Sequence, residues 1–112
     1  MEIKEEKTGI VKIVGLKGRL DVSTAPGVEK RLLEIIDQGD NRLVLDFSEL
    51  SYISSLGLRV LISAAKQVQH ANGKLALAAI NDHIMEIFRL AAFTSIFAIY
   101  PTREEAVNHC AG

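Results

Sequence analysis

Two adjacent serines, Ser54 and Ser55, are the residues of this sequence whose type and position best suit a chemical role. They follow the apolar run from Leu43 to Phe47, which is typical of a buried strand, and they precede apolar residues at helical spacing. Both hydroxyls are therefore expected at a helix N-terminus, where unpaired N–H groups and the helix dipole favour a phosphate. Ser54 is predicted to cap this helix and Ser55 to point to solvent.

A self-contained hydrolase is not expected from these serines. Ser55, Leu56 and Gly57 match the last three positions of a G-x-S-x-G nucleophile elbow, but Ile53 replaces its first glycine. The three histidines are spread over other segments, and nothing in the sequence places one beside Ser55 as a base; they are His70, His83 and His109. The sequence therefore predicts no catalytic residue and no enzyme activity.

Cofactor and metal sites are not expected either. The sequence has no phosphate-binding P-loop, and Gly15 with Gly18 supplies only a fragment of a dinucleotide fingerprint. His109 and Cys110 are adjacent but have no partners at ligand spacing, and Cys110 is the only cysteine. A structural thiol without a disulfide is the simplest interpretation of Cys110.

Length and charge limit the remaining classes. The 112 residues, 48% of them hydrophobic, predict one domain covering residues 1–112. The formal net charge of −1, with scattered lysines and arginines, argues against nucleic-acid binding. A charged N-terminus and the lack of a long apolar segment predict a cytoplasmic chain with no membrane insertion.

Strands and helices alternate along the chain, which predicts a small mixed sheet of about five strands packed against about four helices. The predicted strands cover residues 3–7, 10–16, 43–47, 75–80 and 96–100, and the first two are expected to form a hairpin. Helices are predicted from Ser23 or Thr24 to Gly39, from the serine pair to Asn72, from Asn81 or Asp82 to about Ala91, and from Thr102 to about Cys110. This α/β pattern places the serine pair after the central strand.

One face of the serine helix has two interpretations. The residues predicted to face the core are Leu58, Leu61, Ile62, Ala65 and Val68. Leu56 and Val60 fall on the opposite side, where they would either contact a partner protein or pack beneath a neighbouring helix. A protein-binding surface next to Ser55 is one of these alternatives.

Two segments, GRLDVSTAP and DFSELSYISSLGLRVL, resemble the motifs of the STAS domain of anti-sigma factor antagonists. The matching positions are Gly18, Leu20, Asp21, Ser23, Thr24 and Ala25 in the first segment, and Asp46, Ser48, Leu50, Ser55, Gly57 and Leu58 in the second. By this resemblance Ser55 occupies the position of the phosphorylated serine. Ser54 stands where the family usually has an aspartate and is a rival acceptor, and Leu56 stands where the family often has a second serine.

The resemblance implies a partner-switching regulator. A GHKL-type anti-sigma factor serine kinase would bind the unphosphorylated chain, release a sigma factor, and inactivate the chain by phosphorylating it; a PP2C-like phosphatase would reverse the reaction. The residues expected to contact the kinase are Asp21, Ser23, Thr24, Ser54, Leu56, Gly57 and Val60. The alternatives are a STAS accessory subunit of an ABC-type lipid transporter and, third, a sensor of a small molecule or nucleotide.

Overall fold

A six-stranded mixed sheet is the framework of the computed structural model, which describes residues 1–112. The strands are β1 (Glu2–Thr8), β2 (Val11–Leu20), β3 (Arg42–Asp46), β4 (Leu50–Ile53), β5 (Lys74–Ala78) and β6 (Ala98–Tyr100). The helices are α1 (Ala25–Asp37), α2 (Ser55–His70), α3 (Asp82–Leu90) and α4 (Arg103–Ala111), and a 3-10 turn covers Phe93–Ser95. The predicted α/β class, with about five strands and four helices, is confirmed.

The sheet order is β1-β2-β3-β5-β6, and β4 also pairs with β2. Strands β1 and β2 form the predicted antiparallel hairpin, in which Thr8 pairs with Val11 and Gly9 adopts a positive φ of 60° at the turn. All the other pairs are parallel. The carboxyl ends of these parallel strands therefore point in the same direction, which is where helices α1 and α2 begin.

Strand β2 pairs with two different partners along its length. Its first half lies beside β3, and its second half, after a register shift between Gly18 and Arg19, lies beside β4. Gly18 has a φ of 113°, a conformation that L side chains rarely adopt, so glycine allows the strand to change partner here. Strand β4 is not evident in the sequence because it has only four residues and pairs with the part of β2 that extends beyond the predicted residue 16.

Two apolar layers lie on opposite faces of the sheet. The larger core joins the sheet to α1, α2 and α3, and it includes Val14, Leu16, Leu43 and Leu45 from the strands and Phe47 just after β3. The smaller core lies under α4 and consists of Val11, Ile13, Val44, Ala76, Ala78, Ala106 and Cys110. Alternation along β2 and β3 explains this division, because successive side chains of a strand point to opposite faces.

Helix α2 buries a wider face than predicted, since Leu61 and Val68 are buried as expected and further residues beside them are buried too. Its buried residues are Gly57, Val60, Leu61, Ala64 and Val68, whereas Leu58, Ile62 and Ala65 are half-buried. Val60 is only 3% exposed and belongs to the same core as α1, against which α2 packs. The prediction that Val60 faces a partner is therefore wrong, because α1 covers that side of the helix.

The segment after α3 also differs from the sequence prediction. The helix ends at Leu90 because Ala92 adopts a left-handed conformation with φ 61°, and Ala91, the predicted end of this helix, lies just beyond it and is exposed. The last strand is shorter than residues 96–100, since Ile96 is 59% exposed and pairing starts only at Ala98. The 3-10 turn between them buries Phe93 and brings Phe97 into the core.

None of the four helices combines the length and the apolar character that crossing a bilayer requires. The longest of them, α2, has 16 residues and carries exposed polar side chains on its outer face.

Candidate functional site

The serine pair and Asp21 lie together at the carboxyl ends of β2 and β4, because these two strands are parallel and in register there. Leu20 pairs with Ile53 at the ends of the two strands, so the next residues, Asp21 and Ser54, leave the sheet side by side. The Ser54 N–H donates to the carbonyl oxygen of Leu20 at 2.9 Å. The strand pairing thus brings together two segments that are more than thirty residues apart in the sequence.

Ser54 caps helix α2, as predicted. Its backbone is extended, with φ −93° and ψ 172°, and its hydroxyl oxygen accepts a hydrogen bond from the Gly57 N–H at 3.1 Å. This geometry satisfies one of the unpaired donors of the first turn. The Ser54 hydroxyl is therefore already used by the fold.

Ser55 differs from Ser54 in its backbone conformation and in the hydrogen bonding of its hydroxyl. It is the first residue of α2, it is exposed, and its hydroxyl has no hydrogen-bond partner within the protein. The first turn of α2 also carries no acidic residue that would neutralise the positive end of the helix dipole. The result is a free nucleophilic oxygen at a helix end that favours an added negative charge.

Gly57 brings α2 against the end of β2. A Cβ atom at this position would lie 2.9 Å from the Leu20 carbonyl oxygen and 2.9 Å from side-chain carbons of Leu20 and Ile53. Only glycine fits this approach without displacing backbone. Gly57 is buried, so the prediction that it contacts a partner is wrong for the same reason as for Val60: both residues lie inside the protein.

The loop before α1 is organised by Asp21. Its Oδ1 accepts hydrogen bonds from the Ser23 hydroxyl at 2.7 Å, from the Ser23 N–H at 3.0 Å and from the Thr24 N–H at 3.2 Å. These bonds, that from the Ser23 hydroxyl above all, lower the pKa of Asp21, so its carboxylate stays ionised. Thr24 stands at the N-cap position, but its hydroxyl donates to the Arg19 carbonyl oxygen at 2.7 Å and caps nothing. Thr24 is thus the N-cap residue, within the predicted start of α1, but it makes no side-chain cap bond, and the Asp21 carboxylate binds the Ser23 and Thr24 N–H groups before the helix instead.

Arg19 and Tyr52 border the site and were not predicted from the sequence. The Arg19 guanidinium carbon lies 4.2 Å from the centre of the Tyr52 ring, and its Nε lies 3.7 Å from Asp21 Oδ2. The two residues are partners in the β2–β4 register. Their proximity depends on the pairing of β2 with β4, which local sequence patterns do not show. It could have been predicted only by recognising the short strand after Glu49.

A cleft of about 330 Å³ lies between the first turns of α1 and α2. It is lined by Pro26, Glu29, Leu56, Arg59 and Val60, with Val60 at its buried side. Leu56 is half-buried and packs against the larger core while still lining the cleft. Of the two residues predicted on the outer side of α2, only Leu56 is accessible.

Asp46 belongs to a different part of the molecule despite its place in the second motif. It is 6% exposed, and its Oδ2 accepts hydrogen bonds from the Arg103 guanidinium at 2.8 and 3.0 Å. Its Oδ1 accepts from the Ser48 N–H at 2.9 Å. Asp46 therefore fastens α4 to the sheet and shapes the turn after β3.

Comparison with known sequences matches residues 2–106 to the STAS domain family model. BtrV of Bordetella bronchiseptica, a candidate anti-sigma factor antagonist, is 37% identical over 106 residues, which are 95% of this chain and 91% of that protein. The anti-sigma-B factor antagonist of Listeria monocytogenes is 31% identical over 100 residues, 88% of this chain and 86% of that protein.

Solved structures show the same fold. A candidate anti-sigma factor antagonist from Thermotoga maritima has a TM-score of 0.93 at 22% identity, and the match covers 98% of this chain and 95% of that chain. The antagonist SpoIIAA in its unphosphorylated form has a TM-score of 0.77 at 18% identity over 99% of both chains. The phosphorylated form of Bacillus SpoIIAA has a TM-score of 0.74 at 19% identity over 96% of this chain and 98% of that chain.

Proposed function

The chain belongs to the STAS domain family, and we propose that it is an anti-sigma factor antagonist controlled by phosphorylation of Ser55. In its unphosphorylated form it binds an anti-sigma factor serine kinase of the GHKL type, and the sigma factor is released. Phosphorylation ends this binding, and a PP2C-like phosphatase restores it. Anti-sigma factor antagonists are regulators rather than enzymes, so the catalytic groups belong to the kinase and the phosphatase.

The observation that carries this proposal is the contrast between the two serines. Ser55 offers an exposed hydroxyl without a hydrogen-bond partner, whereas Ser54 uses its oxygen to cap the helix. SpoIIAA, which shares the fold, has been solved in phosphorylated and unphosphorylated forms. The solved forms of SpoIIAA support phosphorylation of a protein with this fold, and the contrast between the two hydroxyls supports Ser55, rather than its rival Ser54, as the acceptor.

The transfer itself needs only an accessible oxygen from this chain. The Ser55 Oγ attacks the γ-phosphorus of ATP, the bond from that phosphorus to the β–γ bridging oxygen breaks, and ADP leaves. The serine proton passes to a base of the kinase. Hydrolysis by the phosphatase returns the hydroxyl and releases inorganic phosphate.

A single phosphate is sufficient to weaken the complex between the antagonist and the kinase. A hundredfold change in affinity corresponds to about 2.8 kcal/mol. Phosphorylation adds roughly 1.5 to 2 negative charges, and enclosing them in a desolvated interface costs several kcal/mol unless they are paired. The switch therefore needs no change in the fold of the antagonist.

The proposed partner surface consists of the accessible residues around this helix end: Asp21, Ser23, Thr24, Ser54, Ser55 and Leu56. Leu56 lines the cleft between α1 and α2, which offers an apolar contact beside the acceptor. We expect Leu56→Ala to weaken kinase binding by tenfold or so, with a loss of unfolding free energy of about 1 kcal/mol or less, since the side chain is only half-buried.

Val60→Ala is the matched control for this surface. It removes apolar atoms from the same helix but from a fully buried site, so unfolding free energy should fall by roughly 2 kcal/mol. Calorimetric titration with the kinase and urea denaturation separate the two effects. Unchanged binding by the Leu56→Ala variant would remove Leu56 from the interface.

The decisive experiment for the function is incubation with ATP, magnesium and a GHKL-type anti-sigma factor kinase from the same organism, followed by intact-mass measurement and peptide mapping. We expect one phosphate, lost in Ser55→Ala and retained in Ser54→Ala. Ser95→Ala, which removes an exposed hydroxyl from the 3-10 turn outside the proposed partner surface, is the matched control and should retain it. A phosphate lost only in Ser54→Ala would reassign the acceptor. No phosphate, together with co-purification with a membrane ATPase, would favour the transporter-subunit alternative.

A further inference from the structure

We propose that Arg59 binds the phosphate on Ser55 within helix α2 and so completes the switch. This inference rests on the proposed function, because it assigns a role to a residue that becomes a phosphate ligand only after Ser55 is modified. The two side chains are four residues apart on the exposed side of the same helix.

The helix geometry favours this contact. Residues at positions i and i+4 have Cβ atoms about 5–6 Å apart. Long side chains in a helix lean towards its N-terminus, so Arg59 extends over the turn that contains Ser55. An arginine can donate two parallel hydrogen bonds to phosphate oxygens, which makes it well suited to a phosphoserine one turn before it.

Arg59 is also the arginine that the fold leaves without a partner. Five of the six arginines pair with a carboxylate or donate to a carbonyl oxygen, namely Arg19, Arg31, Arg42, Arg89 and Arg103. Arg59 makes no hydrogen bond or ion pair, and α2 contains no aspartate or glutamate. Glu29 lines the same cleft, but it does not form an ion pair with Arg59.

This arrangement gives one modification two consequences at the partner surface. In the unmodified chain the guanidinium of Arg59 is open to a carboxylate of the kinase, next to Leu56 and Ser55. After phosphorylation the same guanidinium is held by the phosphate. The partner then meets an added negative charge and also loses a free positive one.

Arg19 is the competing cation at this edge. It already stacks on Tyr52 and lies 3.7 Å from Asp21, whose ionised carboxylate opposes a nearby phosphate dianion. The groups that set the charge around the modified Ser55 are thus Arg59 and Arg19, which favour the dianion, and Asp21 and Glu29, which oppose it.

The test installs phosphoserine at position 55 by genetic encoding, so that it does not depend on any kinase, and follows the phosphate by ³¹P NMR as pH is changed. Arg59→Gln should raise the second pKa of the phosphate, which lowers its acid dissociation constant roughly twofold or more. Lys66→Gln removes an equal charge from the same helix two turns further on and should leave that pKa unchanged. The effect of Arg59→Gln should also shrink in high salt.

An Arg59→Gln variant that titrates like the unsubstituted phosphoprotein would overturn the inference. A rise in the phosphate pKa in Arg19→Gln but not in Arg59→Gln would overturn it as well, and would assign the phosphate to the neighbouring strand. Either result leaves the proposed function standing, since that depends separately on whether the kinase modifies Ser55.

Discussion

Ser54 and Ser55 have the same side chain but different roles, because the boundary of α2 falls between them. Ser54 has an extended backbone that turns its oxygen towards the Gly57 N–H, whereas Ser55 is already helical and directs its hydroxyl outward. One residue fixes where the helix starts, and the next offers a free oxygen at that start. The pair therefore separates folding from modification at adjacent positions.

This separation predicts different costs for removing each hydroxyl. Ser54→Ala leaves the Gly57 N–H without its partner and should lower the free energy of unfolding by about 1 kcal/mol. Ser55→Ala removes no hydrogen bond and should change it by less than about 0.5 kcal/mol. Urea denaturation of the two variants measures the difference. Equal losses in both would show that the cap is shared or that Ser55 has a structural role.

The serine pair and its cap could be predicted from the sequence, but the residues that surround the site through contacts between elements could not. The Ser54 cap follows from residue preferences at helix ends, which depend only on local backbone geometry. Arg19 and Tyr52 meet through the pairing of β2 with β4, and the burial of Val60 depends on α1 lying over α2. Periodicity indicates that a helix has an apolar side, but it does not show how many neighbours cover that helix.

At the scale of elements, the start of α2 is positioned by its close contact with the end of β2. Gly57 makes this possible, and an alanine there would place a methyl group 2.9 Å from the Leu20 carbonyl oxygen. We expect Gly57→Ala to lower unfolding free energy by roughly 1–3 kcal/mol, since backbone must move. Phosphorylation of Ser55 should slow as well, because the same displacement moves the acceptor.

Gly27 in α1 is the matched control for this prediction. A Cβ at that position has no atom within 4 Å, and the residue is exposed near the start of the helix. Gly27→Ala should therefore raise stability, by up to about 1 kcal/mol, through better helix propensity. Thermal unfolding of both variants gives the comparison; a Gly57→Ala variant as stable as Gly27→Ala would show that α2 can shift freely against β2.

At the scale of the whole molecule, each helix layer is fastened to the sheet by a carboxylate. Asp46 joins β3 to α4 through Arg103. On the other side Glu5 of β1 accepts two hydrogen bonds from Arg31 of α1, at 2.6 and 2.7 Å, and lies 3.2 Å from Lys12. These ion pairs connect a helix to the sheet rather than two residues of one element, so their loss should lower the free energy of unfolding.

Both carboxylates should make the protein less stable in acid. Hydrogen bonds from Arg31 lower the pKa of Glu5 to about 2. Burial alone would raise the pKa of Asp46, but hydrogen bonds from Ser48 and Arg103 outweigh it and lower that pKa. A carboxyl group whose pKa is lower in the folded than in the unfolded state stabilises the folded protein. This contribution is complete above the unfolded pKa, about 4, and is lost as the pH falls through the folded pKa.

Glu5→Gln tests this link. At pH 6 we expect it to lower unfolding free energy by about 1 kcal/mol, because solvent screens a partly exposed pair, and the gap to the unsubstituted protein should narrow towards pH 2. Glu86→Gln, which breaks a pair with Arg89 whose side chains are 60% and 61% exposed, should have little effect at either pH. A gap that stays constant from pH 6 to pH 2 would exclude ionisation of Glu5 as its cause.

The same framework limits what a phosphate on Ser55 does to the rest of the molecule. The larger core and the Gly57 contact hold the start of α2, and the helix end favours the added charge by about 0.3–1 kcal/mol. No buried group has to be displaced, since the Ser55 hydroxyl is already exposed. Phosphorylation should therefore shift backbone amide resonances only in the first turn of α2 and in the loop from Asp21 to Thr24. Shifts spread through β5, α3 and α4 would instead show a conformational switch, and the loss of kinase binding would then need a refolded surface rather than local charge.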